Sequence, residues 1–270
     1  MDLASRILIG IVAAIVIGFA AYRAGSLSKS GAVAAAVTGA IAVSAGWNWA
    51  GLLIAYFVSS SALSRVGRTR KLAQTAGMVE KSGPRDAMQV LANGLPFTVL
   101  AHIWPDNYVP WGTAGAIMAG AAASLAASAA DTWATEIGTW VGQAPRSIVT
   151  WRRLPVGQSG GVTIAGLMGS VAGALFVALA ARLFHRPMAM LPVIVIAGLL
   201  GSLVDSLLGA LVQQRRWCDA CAAGTEMRIH ECGGATRIAG GVAFMNNDMV
   251  NLIASTTGAL IGLYFGAVIH

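Results

Sequence analysis

Apolar runs of about twenty residues recur along nearly the whole chain, divided by short polar loops, and that rhythm leaves few folds open. A helix that crosses a hydrocarbon core of about 30 Å needs about 20 apolar residues. Candidates lie near 3–22, 31–46, 48–64, 87–104, 112–131, 161–181, 189–212 and 247–268. With 56% hydrophobic and only 11% charged residues, the chain has too few charges to cover a soluble globule. The reading is therefore all-α: a polytopic transmembrane helical bundle in a single domain over 1–270. The 31–64 stretch decides the count. As one helix it would run about 50 Å at 1.5 Å per residue, so it is divided at Trp47-Asn48-Trp49, an aromatic signature of membrane interfaces. That makes eight spans, or seven if the stretch is left whole.

A net charge of +7 raises the question of nucleic acid, but the distribution argues against such a partner. The basic residues sit in alternate loops: Arg23 and Lys29, then Arg65, Arg68, Arg70, Lys71, Lys81 and Arg85, then Arg146, Arg152 and Arg153, then Arg215, Arg216, Arg228 and Arg237. The loops around Trp47 and Asp106 carry no Lys or Arg, and the one at His185 carries only Arg186 beyond the helix-end Arg182. This alternation follows the positive-inside rule, with loops 65–85, 141–160 and 213–245 cytoplasmic and the N-terminus outside. The first span is about twice the length of a signal-peptide core and has seven more behind it. The expected location is the inner membrane of a prokaryote, with the functional face toward the cytoplasm.

The 33 glycines concentrate in the apolar segments, where small residues let helix backbones approach closely. Ser30-Gly-Ala-Val and Ser159-Gly-Gly-Val each open a Gly-spaced apolar run, a faint trace of internal duplication.

Acids stand where a membrane chain rarely keeps them. Asp131 and Glu136 lie in the stretch Gly115–Gly138, and Asp86, Asp205 and Asp248 lie within or at the edge of other spans, five of the eleven acids in all. An ionised Asp at the centre of a span costs roughly 2.5–3.5 kcal/mol on insertion scales, so such groups usually serve a site. Their neighbours are polar at helical spacing. Asp86, Gln89 and Asn93 share a face, Asp131 stacks with Thr135 and Thr132 with Glu136, small and polar residues surround Asp205, and Asn251 lies a turn from Asn247 and Asp248. For one such face an interhelical hydrogen bond is explanation enough. Four faces placed by loop charge at the same cytoplasmic boundary read instead as an oxygen-rich Mg²⁺ site, with Asp131, Glu136 and Asp248 as ligands and Asp205 in a supporting place.

The loop after Glu136 carries the opposite charge. Arg146, Arg152 and Arg153 precede Gly157-Gln158-Ser159-Gly160-Gly161, a glycine-rich run into a helix start that offers backbone N–H groups to an anion. It lacks the G-K-[ST] end of a Walker A loop, and a flexible topological loop is the plainer alternative. Arg65, Arg68, Arg70 and Lys71 read as topology signals or contacts to anionic lipid. Cys218-Asp-Ala-Cys221 followed by His230-Glu-Cys232 has the donor count of a structural Cys₃His zinc site, against unliganded thiols. Such a zinc would pin the loop that delivers Asn246 to Asp248. His102, His185 and His270 fall at outer span ends.

Taken together, Arg85-Asp86-Ala-Met-Gln89-Val-Leu-Ala-Asn93-Gly94, Asp131-Thr-Trp-Ala-Thr-Glu136-Ile-Gly138, Pro155-Val-Gly157-Gln-Ser-Gly160-Gly161-Val-Thr163 and Asn246-Asn247-Asp248-Met-Val-Asn251 resemble the integral-membrane phytyl-phosphate kinases of plants and cyanobacteria. The cysteine loop resembles that of prokaryotic members, and the likeness covers roughly 25–268. More distantly, the Asp131-Thr132 segment is similar to dolichol kinases and CDP-diacylglycerol synthases. The resemblance implies Mg²⁺-dependent transfer of a terminal phosphate from a nucleoside triphosphate, CTP favoured, to an isoprenoid monophosphate. One departure is Leu154-Pro155-Val156-Gly157-Gln158-Ser159 where the family commonly has P-P-G-T-N. On this reading Asp86 and Asn93 join the catalytic set, and Gln89, Thr132, Asp205, Asn247 and Asn251 contact nucleotide or substrate. The arginines, with Gly157, Ser159, Gly160 and Gly161, hold phosphates. Membrane lipid, and a homodimer as an open alternative, complete the expected partners. A CTP-dependent cytidylyltransferase and an ion-coupled transporter are the competing readings.

Overall fold

The computed structural model describes residues 3–103, 111–184 and 188–268; Asp106, His185, Arg186, His270 and the last residue of the 87–104 segment lie outside the described residues. Every apolar segment carries a helix. In chain order these are α1 (Leu3–Arg23), α2 (Lys29–Ala45), α3 (Trp47–Arg65), the short polar α4 (Arg68–Thr75), α5 (Ala87–Ile103), α6 (Trp111–Val141), α7 (Ile164–Leu183), α8 (Met190–Leu211) and α9 (Asn247–Val268). The 31–64 stretch is two helices, broken at Gly46. Four helices are long and apolar enough to cross a membrane: Thr113–Val141, Ile164–Leu183, Met190–Leu211 and Asn247–Val268. Together, α3 and α4 make a fifth, bent by 74°. Of the other apolar helices, α2 and α5, 17 residues each, are shorter, about 25 Å at 1.5 Å per residue, so among the described residues four or five of the expected eight spans meet the test of length and composition.

The fold is all-α as expected, and among the described residues its loops also carry five short strands. β1 (Arg146–Ser147) pairs antiparallel with β2 (Gly161–Val162), while β3 (Arg215–Cys218) is the centre of a small antiparallel sheet between β4 (Ala223–Thr225) and β5 (Arg237–Gly240). Hydrogen bonds gather the basic loops at one end of the bundle: Arg65 Nη2 to Ala24 O at 3.0 Å, Arg70 Nη2 to Val141 O at 3.3 Å, Gly77 N to Glu231 Oε1 at 2.9 Å and Ser159 N to Glu226 Oε1 at 3.1 Å.

The axis of the bundle is α6. Its middle is almost all Ala, Gly and Ser and is wholly buried from Ala119 to Ala130. Helices α5, α7, α8 and α9 pack around it. In lipid there is no hydrophobic force between helices, so close van der Waals packing must hold them, and small residues permit it. The partners bring glycine to meet it. A Cβ placed on Gly173 of α7 would lie 2.7 Å from Ala129 O, one on Gly201 of α8 2.6 Å from the Ala127 Cβ, and one on Gly262 of α9 2.7 Å from Ala119 O. Larger side chains fill the layer on the α3 side, where Trp49 and Phe97 meet edge to face at 5.8 Å among Leu125, Val177 and Ile194. Leu8, Val12, Ile15 and Phe19 on α1 and Ile164, Met168 and Leu183 on α7 are exposed, as a lipid-facing surface requires.

At 31 residues, α6 is about 46 Å long and outruns the hydrocarbon core. Asp131 lies about 30 Å from the Trp111 start, at the level where the basic loops collect. Introducing Gly262→Leu should destabilise the protein by about 1–3 kcal/mol through overpacking against α6. Gly224→Ala, where a Cβ meets nothing within 4 Å, should be neutral. Thermal unfolding in detergent checks both, and an unaffected Gly262→Leu would contradict the packing described.

Candidate functional site

The C-terminal turns of α6 emerge into a polar cavity of about 420 Å³ at the basic end of the bundle. Its lining combines acids and bases: Glu80, Asp131, Glu136, Asp205, Glu226 and Asp248 with Arg65, Arg68, Lys71, Lys81 and Arg85. Gln89, Asn93, Thr132, Asn247, Asn251, Gly157, Ser159, Gly160 and Gly161 line it as well. Four segments distant in sequence thus meet as their loop charges imply.

At the floor, the carboxyls of Asp131 and Asp205 meet side chain to side chain. Like charges in contact repel, so such a pair is stable only with a cation or a proton between them. The small-residue packing brings them together: Ser170 of α7 donates to Ala130 O at 3.1 Å and exchanges a 3.1 Å hydrogen bond with Ser202 of α8, one turn before Asp205. Asp205 Oδ2 is buried with no hydrogen-bond partner.

One wall is a lysine clasp. The Lys71 ammonium donates to Leu63 O at 3.0 Å, Ser64 O at 3.1 Å and the Glu136 carboxylate, whose other oxygen accepts from Ser64 Oγ at 2.5 Å. All three ammonium donors are therefore engaged. Lys71 is buried, closes the C-terminal carbonyls of α3 where the chain bends into α4, and fastens that bend to α6. A second cluster centres on Lys81, which bridges Asp248 at 2.5 Å and Asp86 at 2.8 Å. Burial works against its charge, but its hydrogen bonds to Asp248 and Asp86 prevail and hold its pKa above the ordinary lysine value. Asp248 is buried, and its Oδ1 has no partner.

Asp131, Glu136 and Asp248 therefore do not converge as one ligand set: Glu136 is held by Lys71 and Ser64, Asp248 by Lys81, and the carboxyl that faces Asp131 belongs to Asp205. Asp86 is also absent from the cavity lining. It caps α5, accepting from Gln89 N at 3.0 Å while its own N–H donates to Gln89 Oε1 at 3.1 Å, a reciprocal capping box. Asn93 Nδ2 turns back to Gln89 O at 2.8 Å.

The glycine loop departs further from expectation. Gly160 has φ +79°, and a Cβ there would lie 2.4 Å from Ala210 N, so glycine is needed to seat the loop on the end of α8. The Ser159 N–H is taken by Glu226, whose carboxylate also accepts from Gln213 Nε2 at 3.1 Å. Burial lifts the Glu226 carboxyl above its ordinary range against those donors. Arg146, Arg152 and Arg153 do not line the cavity. They are exposed on the β1–β2 hairpin beside the exposed Val149 and Trp151, and Arg146 Nη1 donates to Trp151 O at 3.0 Å. The cations that do face the cavity come from 65–85. Of these, the Arg85 guanidinium makes only long hydrogen bonds, 3.4 Å to both Ser61 and Ser64.

Cys218, Cys221, His230 and Cys232 place their ligand atoms within 4.8 Å of one another. Cys218 Sγ and Cys232 Sγ stand 3.6 Å apart. Tetrahedral zinc with bonds of about 2.3 Å sets its sulfurs about 3.7–3.8 Å apart, so the donors fit that ion. His230 Nδ1 is buried with no hydrogen-bond partner. The Gly234 backbone, His230 and the neighbouring thiols hold Cys232 down at about 6, while hydrogen bonds from Cys232 and then burial push Cys221 up to about 11. This loop clasps the segment that carries Lys81: Gly77 N donates to Glu231, Glu226 N donates to Met78 O at 2.8 Å, and Arg228 pairs with Glu80 at 3.3 Å.

A family model described as integral membrane protein DUF92 matches residues 12–259. Protein PGR of Arabidopsis thaliana is 28% identical over 92% of each chain. An uncharacterised membrane protein of Methanocaldococcus jannaschii is 28% identical over 97% of this chain and 95% of its own. The chloroplastic Protein VTE6 of Arabidopsis thaliana is 26% identical over 88% of this chain and 64% of its own length. No solved structure matches. With nearly its whole length matched, the chain belongs to the DUF92 family of integral membrane proteins.

Proposed function

We propose that the protein is a Mg²⁺-dependent membrane kinase that transfers the terminal phosphate of a nucleoside triphosphate, CTP favoured, to an isoprenoid monophosphate. The observation that carries this reading is the mixed-sign cavity, in which unpartnered carboxylate oxygens of Asp205 and Asp248 share the lining with Arg65, Arg68 and Arg85, none of which is paired with an acid among the described residues. Phosphoryl transfer asks a protein mainly to position phosphates and neutralise their charge. The isoprenoid acceptor is the one that the motif resemblance implies. The expected site is the inner membrane of a prokaryote, with the cavity facing the cytoplasm.

Asp131 and Asp205 would hold the metal, since Mg²⁺ takes one or two protein carboxylates and completes its shell with water and phosphate oxygens. Bound there, Mg²⁺ would neutralise charge on the donor phosphates. Lys81, released from Asp248 or Asp86 by a competing phosphate, and Arg65, Arg68 and Arg85 take the remaining charge. Glu136 and Lys71 keep α3, α4 and α6 in register. An acceptor monophosphate is already ionised at neutral pH, so no side chain need remove a proton. Zinc on the cysteine loop would hold 77–81 and through it Lys81.

Purified protein with Mg²⁺, each nucleoside triphosphate and a prenyl monophosphate panel should yield a prenyl diphosphate by mass spectrometry. No diphosphate from any pairing, with folded protein, would refute the proposal. Asp131→Asn and Asp205→Asn should each lower turnover by roughly a hundredfold or more while leaving membrane expression intact; retained turnover in either removes that residue from the metal site.

A separate test concerns the cysteine loop. Cys232→Ser should abolish bound zinc by elemental analysis and open the 77–83 segment to proteolysis, with weaker turnover. Zinc content unchanged from wild type would dismiss the metal, and loss of zinc without greater cleavage would dismiss the clasp.

A further inference from the structure

A second cavity, of about 280 Å³, lies between α1, α2, α3 and α5. It shares Arg85, Gln89 and Asn93 with the polar cavity, so these three residues form a common partition. Beyond them the walls are apolar apart from Trp47, Tyr56 and Thr38, and the hydroxyl of Thr38 is turned onto its own helix, to Ala34 O at 3.0 Å. The α3 wall runs from Phe57 to Trp47, about 15 Å at 1.5 Å per residue. That is about half of a 30 Å hydrocarbon core. Helix α1 packs chiefly on α2.

We propose that this cavity seats the isoprenoid tail and sets the chain length accepted, with Arg85, Gln89 and Asn93 holding the acceptor phosphate at the partition. The inference rests on the kinase reading for the phosphate head. The shared partition selects the occupant: a molecule that reaches both cavities has an anionic head and an apolar tail joined at one point. A bulk lipid tail needs no such junction. A tail of a few isoprene units lies within the Phe57–Trp47 wall, whereas a polyprenol has to leave past Trp47. The assignment also moves Gln89 and Asn93 from the nucleotide to the acceptor.

Gly94 gives access to the test. It lines the apolar cavity, and a Cβ placed there meets nothing within 4 Å, so a larger side chain enters empty space. Binding of geranyl, farnesyl and geranylgeranyl monophosphates, and of geranylgeraniol, is measured by native mass spectrometry without nucleotide. The proteins compared are wild type, Gly94→Ala and Gly94→Leu, each checked for folding by thermal unfolding. Wild type should bind geranylgeranyl phosphate in preference to geranylgeraniol. Gly94→Leu should weaken geranylgeranyl phosphate at least tenfold and geranyl phosphate much less, with Gly94→Ala between. Equal binding of all three phosphates by wild type and Gly94→Leu would overturn the tail site, as would equal binding of the alcohol. If Gly94→Leu does not fold, an unchanged chain-length preference in Gly94→Ala overturns it. The two readings fail separately: chain-length-dependent binding with no turnover leaves the tail site and refutes the kinase, while turnover with unaltered chain preference in the Gly94 variants does the reverse.

Discussion

Backbone-to-backbone contact along α6 is the constraint on which the rest depends. Glycines of α7, α8 and α9 lie against its alanines, so close that a single Cβ at Gly173, Gly201 or Gly262 would collide. Only at that separation can short side chains on different helices touch, and Asp131 and Asp205 are short. The serine contacts at Ser170 and Ser202, just above the pair, follow from the same proximity. Packing made of small residues thus serves both cohesion in lipid and the assembly of a charged floor.

Charge compensation shapes the remainder of the cavity. Lys71 and Lys81 have similar chemistry but different positions in the network. Lys71 is buried with its three donors committed to two carbonyls and Glu136, and it acts as a structural cap. Lys81 is shared between two carboxylates and remains a third exposed, so an incoming phosphate can compete for it. The cysteine loop reaches the same lysine from outside through Gly77, Met78 and Glu80.

The helices were legible because membrane length and hydropathy constrain them strongly, and the alternation of basic loops correctly implied that Asp131, Glu136, Asp205 and Asp248 share one end. Sequence spacing cannot reveal which acid faces which partner. Glu136 and Asp248 looked equivalent to Asp131 as ligands, yet the fold brings each of them a lysine and brings Asp205 to Asp131. Gly157–Gly161 looked like an anion cradle, while Gly160 is there to clear Ala210 and Ser159 binds Glu226, an isolated loop acid with no local signal. Arg146, Arg152 and Arg153 were drawn to that loop by proximity in sequence, whereas the cations at the cavity come from a segment more than fifty residues earlier. The cysteine spacing was the most direct of the motifs, because its four donors lie within a single fifteen-residue stretch of chain.

The account makes the polar cavity a place where the terminal phosphate of a nucleotide moves to a lipid phosphate. CTP labelled separately at its α and γ phosphorus, incubated with the protein, Mg²⁺ and geranylgeranyl phosphate, tests this directly. The account predicts that γ label enters the lipid and that cytidine diphosphate is released. Entry of α label with release of pyrophosphate, or no transfer of either label by folded protein, would contradict it.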